Sequence, residues 1–166
     1  MSQSPRVVLI NGDISEETFA MVDRELSEME SSSHDNITIR INSDGGNMSD
    51  GLAIVGRIVA SPAHITTEGF GTVGSSALLV LACGKKRKMS KYAWVMHHES
   101  SLEIEGTLTE LELEIRQARR EEQFWNKHMA EFSNKNSEFW RKAASKNELY
   151  LSAAQCLELN VIDEII

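Results

Sequence analysis

The chain has 166 residues, of which 41% are apolar, and a formal charge of −8. That length supports one domain with one core, over residues 1–166, and the acidic balance argues against a general nucleic-acid binder. The longest apolar run, ALLVLAC at 77–83, is far short of the ~20 residues that cross a bilayer. The opening MSQSPR is too polar for a secretory signal, so the expectation is a cytoplasmic protein without membrane contact.

In chain order, residues 6–11 (RVVLIN) read as a short buried strand that Gly12 and Asp13 end. Ser15 can cap a helix on which Phe19, Val22, Leu26 and Met29 recur three and four residues apart. Residues 30–36 are a polar loop, and 37–42 (ITIRIN) alternate as a half-buried strand does. The turn Ser43-Asp44-Gly45-Gly46-Asn47 leads into a helix from about Ser49, with Leu52, Val55, Ile58 and Val59 on one face and Pro62 beyond its end. Residues 63–69 suit a strand, 75–83 a short helix, and 87–90 and 93–98 two further strands.

Thr107-x-x-Glu110 forms a capping box that opens the longest element. Its apolar positions Leu108, Leu111, Ile115, Ala118, Trp125, Met129 and Phe132 make a broad stripe. A helix of that length and stripe width often meets a partner as well as its own core. Residues 151–166 give a capped helix and a last short strand. The order β-α-β-α-β-α-β-β, then mainly helical, predicts a layered α/β domain with much parallel pairing. Cys83 and Cys156 fit no zinc or C-x-x-C spacing and read as buried free thiols in a reducing compartment. The basic runs at 85–88 and 116–120 read as solvated faces.

Residues 69–74 (GFGTVG) satisfy the G-x-G-x-x-G pattern of a dinucleotide cradle. The stretch before them, HITTE, is polar for a central first strand, and the helix after them stops within about nine residues, at Gly84. The pair Ser75-Ser76 suggests a different use. A serine at a strand-to-helix junction sits beside first-turn N–H groups that no helix carbonyl takes. Those donors can hold the oxyanion formed when the serine attacks a carbonyl. An ordinary N-cap explains the same pair, and the G-x-S-x-G elbow is absent because Ala77 replaces its second glycine.

His97-His98-Glu99 closes a strand whose neighbouring residues point to opposite faces, so the two histidines cannot both serve one site. Either can be structural. Gly45-Gly46 allows positive φ and close backbone approach, which suits an oxyanion donor, a bound peptide strand, or a plain β-α turn.

Taken in order, these motifs resemble the proteolytic subunit of the Clp protease family. Ile41-Asn42-Ser43-Asp44-Gly45-Gly46 followed by Gly51 is similar to its I-N-S-P-G-G…G, and Gly71–Ala77 to its G-Q-A-A-S-M-G. Val95-Met96-His97-His98 resembles its V-M-I-H, and Tyr150-Leu151-Ser152-Ala153 with Val161-Ile162-Asp163 its F-L-S-A…L-V-D. The likeness runs in register from about residue 6 to 166.

The resemblance implies a crotonase-like ββα superhelix with a helical handle segment at about 107–133. It implies a homo-oligomer of stacked rings, commonly two heptamers, acting on polypeptide substrates without metal or bound cofactor. By the same likeness Ser75 is the nucleophile, His98 the general base and Glu148 the third catalytic member. Gly46 and Ser76 supply the oxyanion N–H groups, and substrate lies along Gly45, Gly46 and Asn47. The reaction implied is acyl transfer through an acyl-enzyme.

Three positions depart from the family pattern. Glu148 stands where the family has aspartate, and its extra methylene requires a shifted backbone or rotamer to orient an imidazole. Asp44 stands where the family has proline and adds a charge that repels acidic substrate segments. The chain begins almost at the first core strand, so the family's N-terminal helix and axial loop are not matched. A ring-shaped ATPase partner is therefore an expectation of the likeness alone. Two rivals are a non-catalytic ring subunit and a crotonase-type acyl-CoA enzyme. The second needs an acid beside the thioester and basic groups for the CoA phosphates, and neither is evident here.

Overall fold

A computed structural model describes residues 5–145 and 148–166. Strands β1 (Val7–Asn11), β2 (Ile37–Ser43) and β3 (Ile65–Gly74) pair in parallel, with α1 (Glu16–Ser32) and α2 (Met48–Val59) as the crossovers. The alternation in ITIRIN is used as expected: Ile37, Ile39 and Ile41 are buried while Arg40 and Asn42 face out. Each such fully buried aliphatic side chain contributes about 1.5–3 kcal/mol. Ser15 and Asn47 cap α1 and α2 by accepting the N–H groups of Thr18 and Asp50.

Strand β3 runs five residues past its expected end at 69. It contains the whole GFGTVG stretch, which is therefore not a phosphate loop. The register explains the glycines: Ile41 pairs with Gly69 but Ser43 with Val73, so β3 carries two extra residues. Gly71 absorbs them at φ +55° beside the side chain of Asn42, whose Oδ1 accepts the N–H of Thr72. This bulge bends the strand. Its first half pairs with β4 (Lys86–Met89) and its second half with β5 (Trp94–His97), both parallel.

After β3 comes α3 (Ser76–Ala82), buried along its whole length. The long helix α4 (Leu108–Glu131) follows, with the expected capping box at Thr107 and Glu110. Beyond it come α5 (Ser137–Ala144), β6 (Leu149–Ser152) and α6 (Ala153–Glu158). β6 pairs antiparallel with β5, and sequence reading missed it because residues 149–152 are too few to show a period. The final β7 (Glu164–Ile165) adds to β4 in parallel. Seven strands form one sheet among the described residues.

Two expectations need adjustment. The basic run at 85–88 is not simply a solvated face. Arg87 has an 11% exposed side chain that pairs with Asp163 and donates to the carbonyls of Phe132 and Asn160, tying β4 to the ends of α4 and α6. The stripe on α4 is also divided: Trp125 and Met129 are core, while Leu108 and Ile115 are exposed. Cys83 and Cys156 are buried and free, and burial pushes both thiols up to about 12. Among the described residues no helix is long and apolar enough to cross a membrane.

Candidate active site

The parallel strands bring three segments to one edge of the sheet, at their carboxyl ends, where ligands bind in open α/β sheets. The end of β3 lies between β2 and β5: Val73 faces Ser43 on one side and Val95 on the other. Ser75 therefore leaves β3 between the glycine turn after β2 and the histidines that end β5. Its N–H donates to the carbonyl of Met96 at 2.8 Å.

Ser75 takes φ 49° and ψ −124°, a conformation that non-glycine residues rarely hold. Such strain costs on the order of 1–3 kcal/mol and concentrates at functional sites. The turn from strand to helix is abrupt as a result, and Ser75 makes no side-chain cap on α3. The plain N-cap reading of this serine does not hold. Its neighbour Ser76 is 1% exposed, with its hydroxyl donating to the carbonyl of Gly46 at 3.4 Å.

The glycine turn lies directly against this junction. A Cβ on Gly45 would fall 2.6 Å from the Ser75 Cβ, and one on Gly46 would run into the backbone of Ile14. Both glycines have positive φ, at 106° and 149°. The turn is anchored by Ile14 N–H to Gly45 carbonyl at 2.8 Å and Asn47 N–H to Ile14 carbonyl at 2.9 Å. These bonds leave the N–H groups of Gly46 and Ser76 with no acceptor among the described residues.

The two histidines part as the alternation of β5 requires. His97 is 4% exposed, and its ring lies flat on Trp125 at 4.4 Å, with Nε2 donating to the Trp140 carbonyl at 3.0 Å. Burial is the main cause that lowers its pKa to about 4, so it is neutral and structural at pH 7. His98 is half-buried and lines, with Ser75, a cleft of about 500 Å³. Gly46 and Asn47 line the same cleft. Glu148 is exposed and its carboxylate accepts the Tyr150 hydroxyl at 2.6 Å, which raises the tyrosine pKa. Among the described residues no hydrogen bond links Ser75 to His98, or His98 to Glu148.

Sequence reading missed the far wall of the cleft. It is built from the 100–102 segment and from Glu114, Ala118 and Glu121 of α4. The 4-3 spacing of those three was visible as one helix stripe, but only its apolar member was noticed. Among the described residues no cluster of His, Cys, Asp and Glu could hold a metal ion.

A mainly parallel sheet with a bulged central strand, and a strained serine between a glycine turn and a histidine, makes this a layered α/β protein, and its likeness to a solved structure gives it the crotonase-like fold. A solved ClpP1 variant from Listeria monocytogenes superposes with a TM-score of 0.88 at 28% identity, covering 97% of this chain and 91% of that one. The ATP-dependent Clp protease proteolytic subunit of Carsonella ruddii (strain PV) is 26% identical over 163 residues, 97% of this chain and 84% of that protein. The sequence matches the Clp protease family over residues 2–166. This chain belongs to that family.

Proposed function

We propose that the chain is a serine-type endopeptidase subunit that cleaves polypeptides through an acyl-enzyme on Ser75. The observation that carries this reading is the shared cleft. A strained Ser75, His98 and Gly46 line it together, at the carboxyl ends of parallel strands, and the N–H groups of Gly46 and Ser76 beside them have no acceptor among the described residues. Substrate backbone lies along Gly45, Gly46 and Asn47, the turn that the two glycines let pack directly against Ser75 and Ile14.

His98 takes the Ser75 proton as Oγ bonds to the peptide carbonyl carbon, and the oxyanion accepts from Gly46 and Ser76. Collapse breaks the C–N bond, and the amine leaves with the proton that His98 carried. Water then attacks the ester, His98 takes its proton, and Ser75 Oγ leaves with that proton as the carboxylic product departs. Glu148 is the third member of the triad, orienting His98 once its carboxylate turns from Tyr150.

In this reading residues 1–166 are one domain, α4 is the handle, and copies assemble as stacked heptameric rings in the cytoplasm. The relatives' name extends the proposal to a ring ATPase partner. A second reading, a non-catalytic ring subunit, is favoured by one observation: Glu148 is engaged by Tyr150 and not by His98.

Treatment with a fluorophosphonate and mapping of the adduct separates the two. Labelling at Ser75 that His98→Ala removes is the expected result. An assembled protein that takes no adduct is the non-catalytic subunit.

A further inference from the structure

The cleft is acidic. Asp44 stands on the Ser75 side, at the turn before Gly45, while Glu114 and Glu121 stand on the opposite wall, on α4. No lysine or arginine among the described residues lines it. None of the three carboxylates takes part in an ion pair among those residues. Glu121 is held at the wall by neutral donors, Gln117 Nε2 at 2.9 Å and Ser49 Oγ at 3.3 Å, with no ion pair to it among the described residues although Arg120 borders the adjoining surface. Glu122, next in the chain, borders the small void that adjoins Ser75 and His98.

A polypeptide threading between the glycine turn and α4 therefore passes carboxylates on both sides. One opposite charge at contact distance in bulk water changes an equilibrium about fivefold, and more where water is partly displaced. An acidic segment meets repulsion from both walls. Apolar contact alone does not distinguish the two, so the charge of the walls sets the preference.

We propose that this cleft selects basic polypeptide segments, those carrying lysine or arginine near the bond to be cut. The inference rests on the peptidase reading for the site itself. The determinants are Asp44, Glu114 and Glu121, and the class of substrate is an extended peptide with cationic side chains.

The test is binding to the full-length Ser75→Ala chain, which separates charge recognition from turnover. Dye-labelled peptides of one alanine–leucine frame carry lysine, glutamine or glutamate at the variable positions. Fluorescence anisotropy at about 0.01 M salt is expected to rank lysine over glutamine over glutamate, with at least about tenfold between the extremes. At about 1 M salt, where the Debye length is about 3 Å, the ranking collapses toward equality. The double variant Glu114→Gln, Glu121→Gln in the same background reduces the lysine-to-glutamate ratio by about threefold or more. Asp44→Asn, at an exposed turn, reduces it in a chain whose α4 is untouched.

Equal affinities at low salt overturn the inference, as does a lysine preference that survives all three neutralisations. Failure of every peptide to bind overturns it too. In each case fluorophosphonate labelling of the wild-type Ser75 tells whether the peptidase reading falls with it: an adduct leaves that reading standing.

Discussion

Gly45 packs so closely against Ser75 that no side chain fits between them: a Cβ on the glycine would lie 2.6 Å from the serine's Cβ and 2.7 Å from the Gly74 carbonyl. The turn after β2 thus holds Ser75 in its left-handed conformation by direct contact. Gly45→Ala is expected to push Ser75 from that geometry and to cost about 1–3 kcal/mol from crowding. The fluorophosphonate labelling rate should fall by about tenfold or more. Gly12→Ala is the control, because Gly12 has φ 93° but nothing within 4 Å of an added Cβ. If the two variants label at the same rate, contact at Gly45 is not what sets the reactivity of Ser75.

The adjacent histidines should separate cleanly by assay. His98→Ala is expected to abolish labelling, whereas His97→Gln keeps it and changes the pH dependence of stability instead. His97 is held near pKa 4 in the fold against an ordinary 6.5. As pH falls below 6.5 the unfolded chain takes up a proton that the native ring refuses until about pH 4. Stability is therefore full above the unfolded pKa and is lost as pH falls through that window, by about 3 kcal/mol in total. Urea midpoints at pH 7 and pH 4.5 should show a steeper loss for wild type than for His97→Gln. Parallel losses would mean that some other group carries the acid sensitivity.

Glu148 presents a competition. Its carboxylate accepts the Tyr150 hydroxyl at 2.6 Å, while the role inferred for it lies with His98. If it orients the imidazole, Glu148→Ala should lower the acylation rate by roughly a hundredfold or more. Tyr150→Phe, which releases the carboxylate, should leave that rate unchanged or raise it. A Glu148→Ala chain that acylates at the wild-type rate would show that another group orients His98.

The parallel β-α-β start was legible because ITIRIN alternates and Pro62 and Gly12 punctuate the elements they flank. The site was legible through order: a glycine turn, a serine pair and a strand-end histidine each had a plain explanation, but topology gathers them at one edge. Other features depend on partners distant in sequence. The bulge at Gly71 exists only against Asn42, and the anchoring role of Arg87 only against Asp163 and the carbonyls of Phe132 and Asn160. No local pattern around GFGTVG or KKRK contains those partners. The acid wall was missed for a related reason, since Glu114 and Glu121 carry no local signal until the cleft stands opposite them.

The long helix α4 gives the last prediction, and the structure changes which residues should be used. Periodicity puts Ile115 and Trp125 on one stripe, inviting substitution of both to test whether that stripe meets another copy. Trp125 is 2% exposed and stacked on His97, so a charge there would disrupt the core and say nothing about assembly. Leu108, Leu113 and Ile115 are instead 81%, 56% and 42% exposed, on the half of the helix that leaves the core. Leu108 and Ile115 lie two turns apart on one face and Leu113 on the other, so substitutions at 113 and 115 probe both exposed faces of this half of the helix for a contact with another copy. Leu113→Glu and Ile115→Glu should leave the circular dichroism and the His97-linked pH profile intact while reducing the mass measured by light scattering toward a single chain. Unchanged mass in both variants would mean that this half of α4 takes no part in assembly.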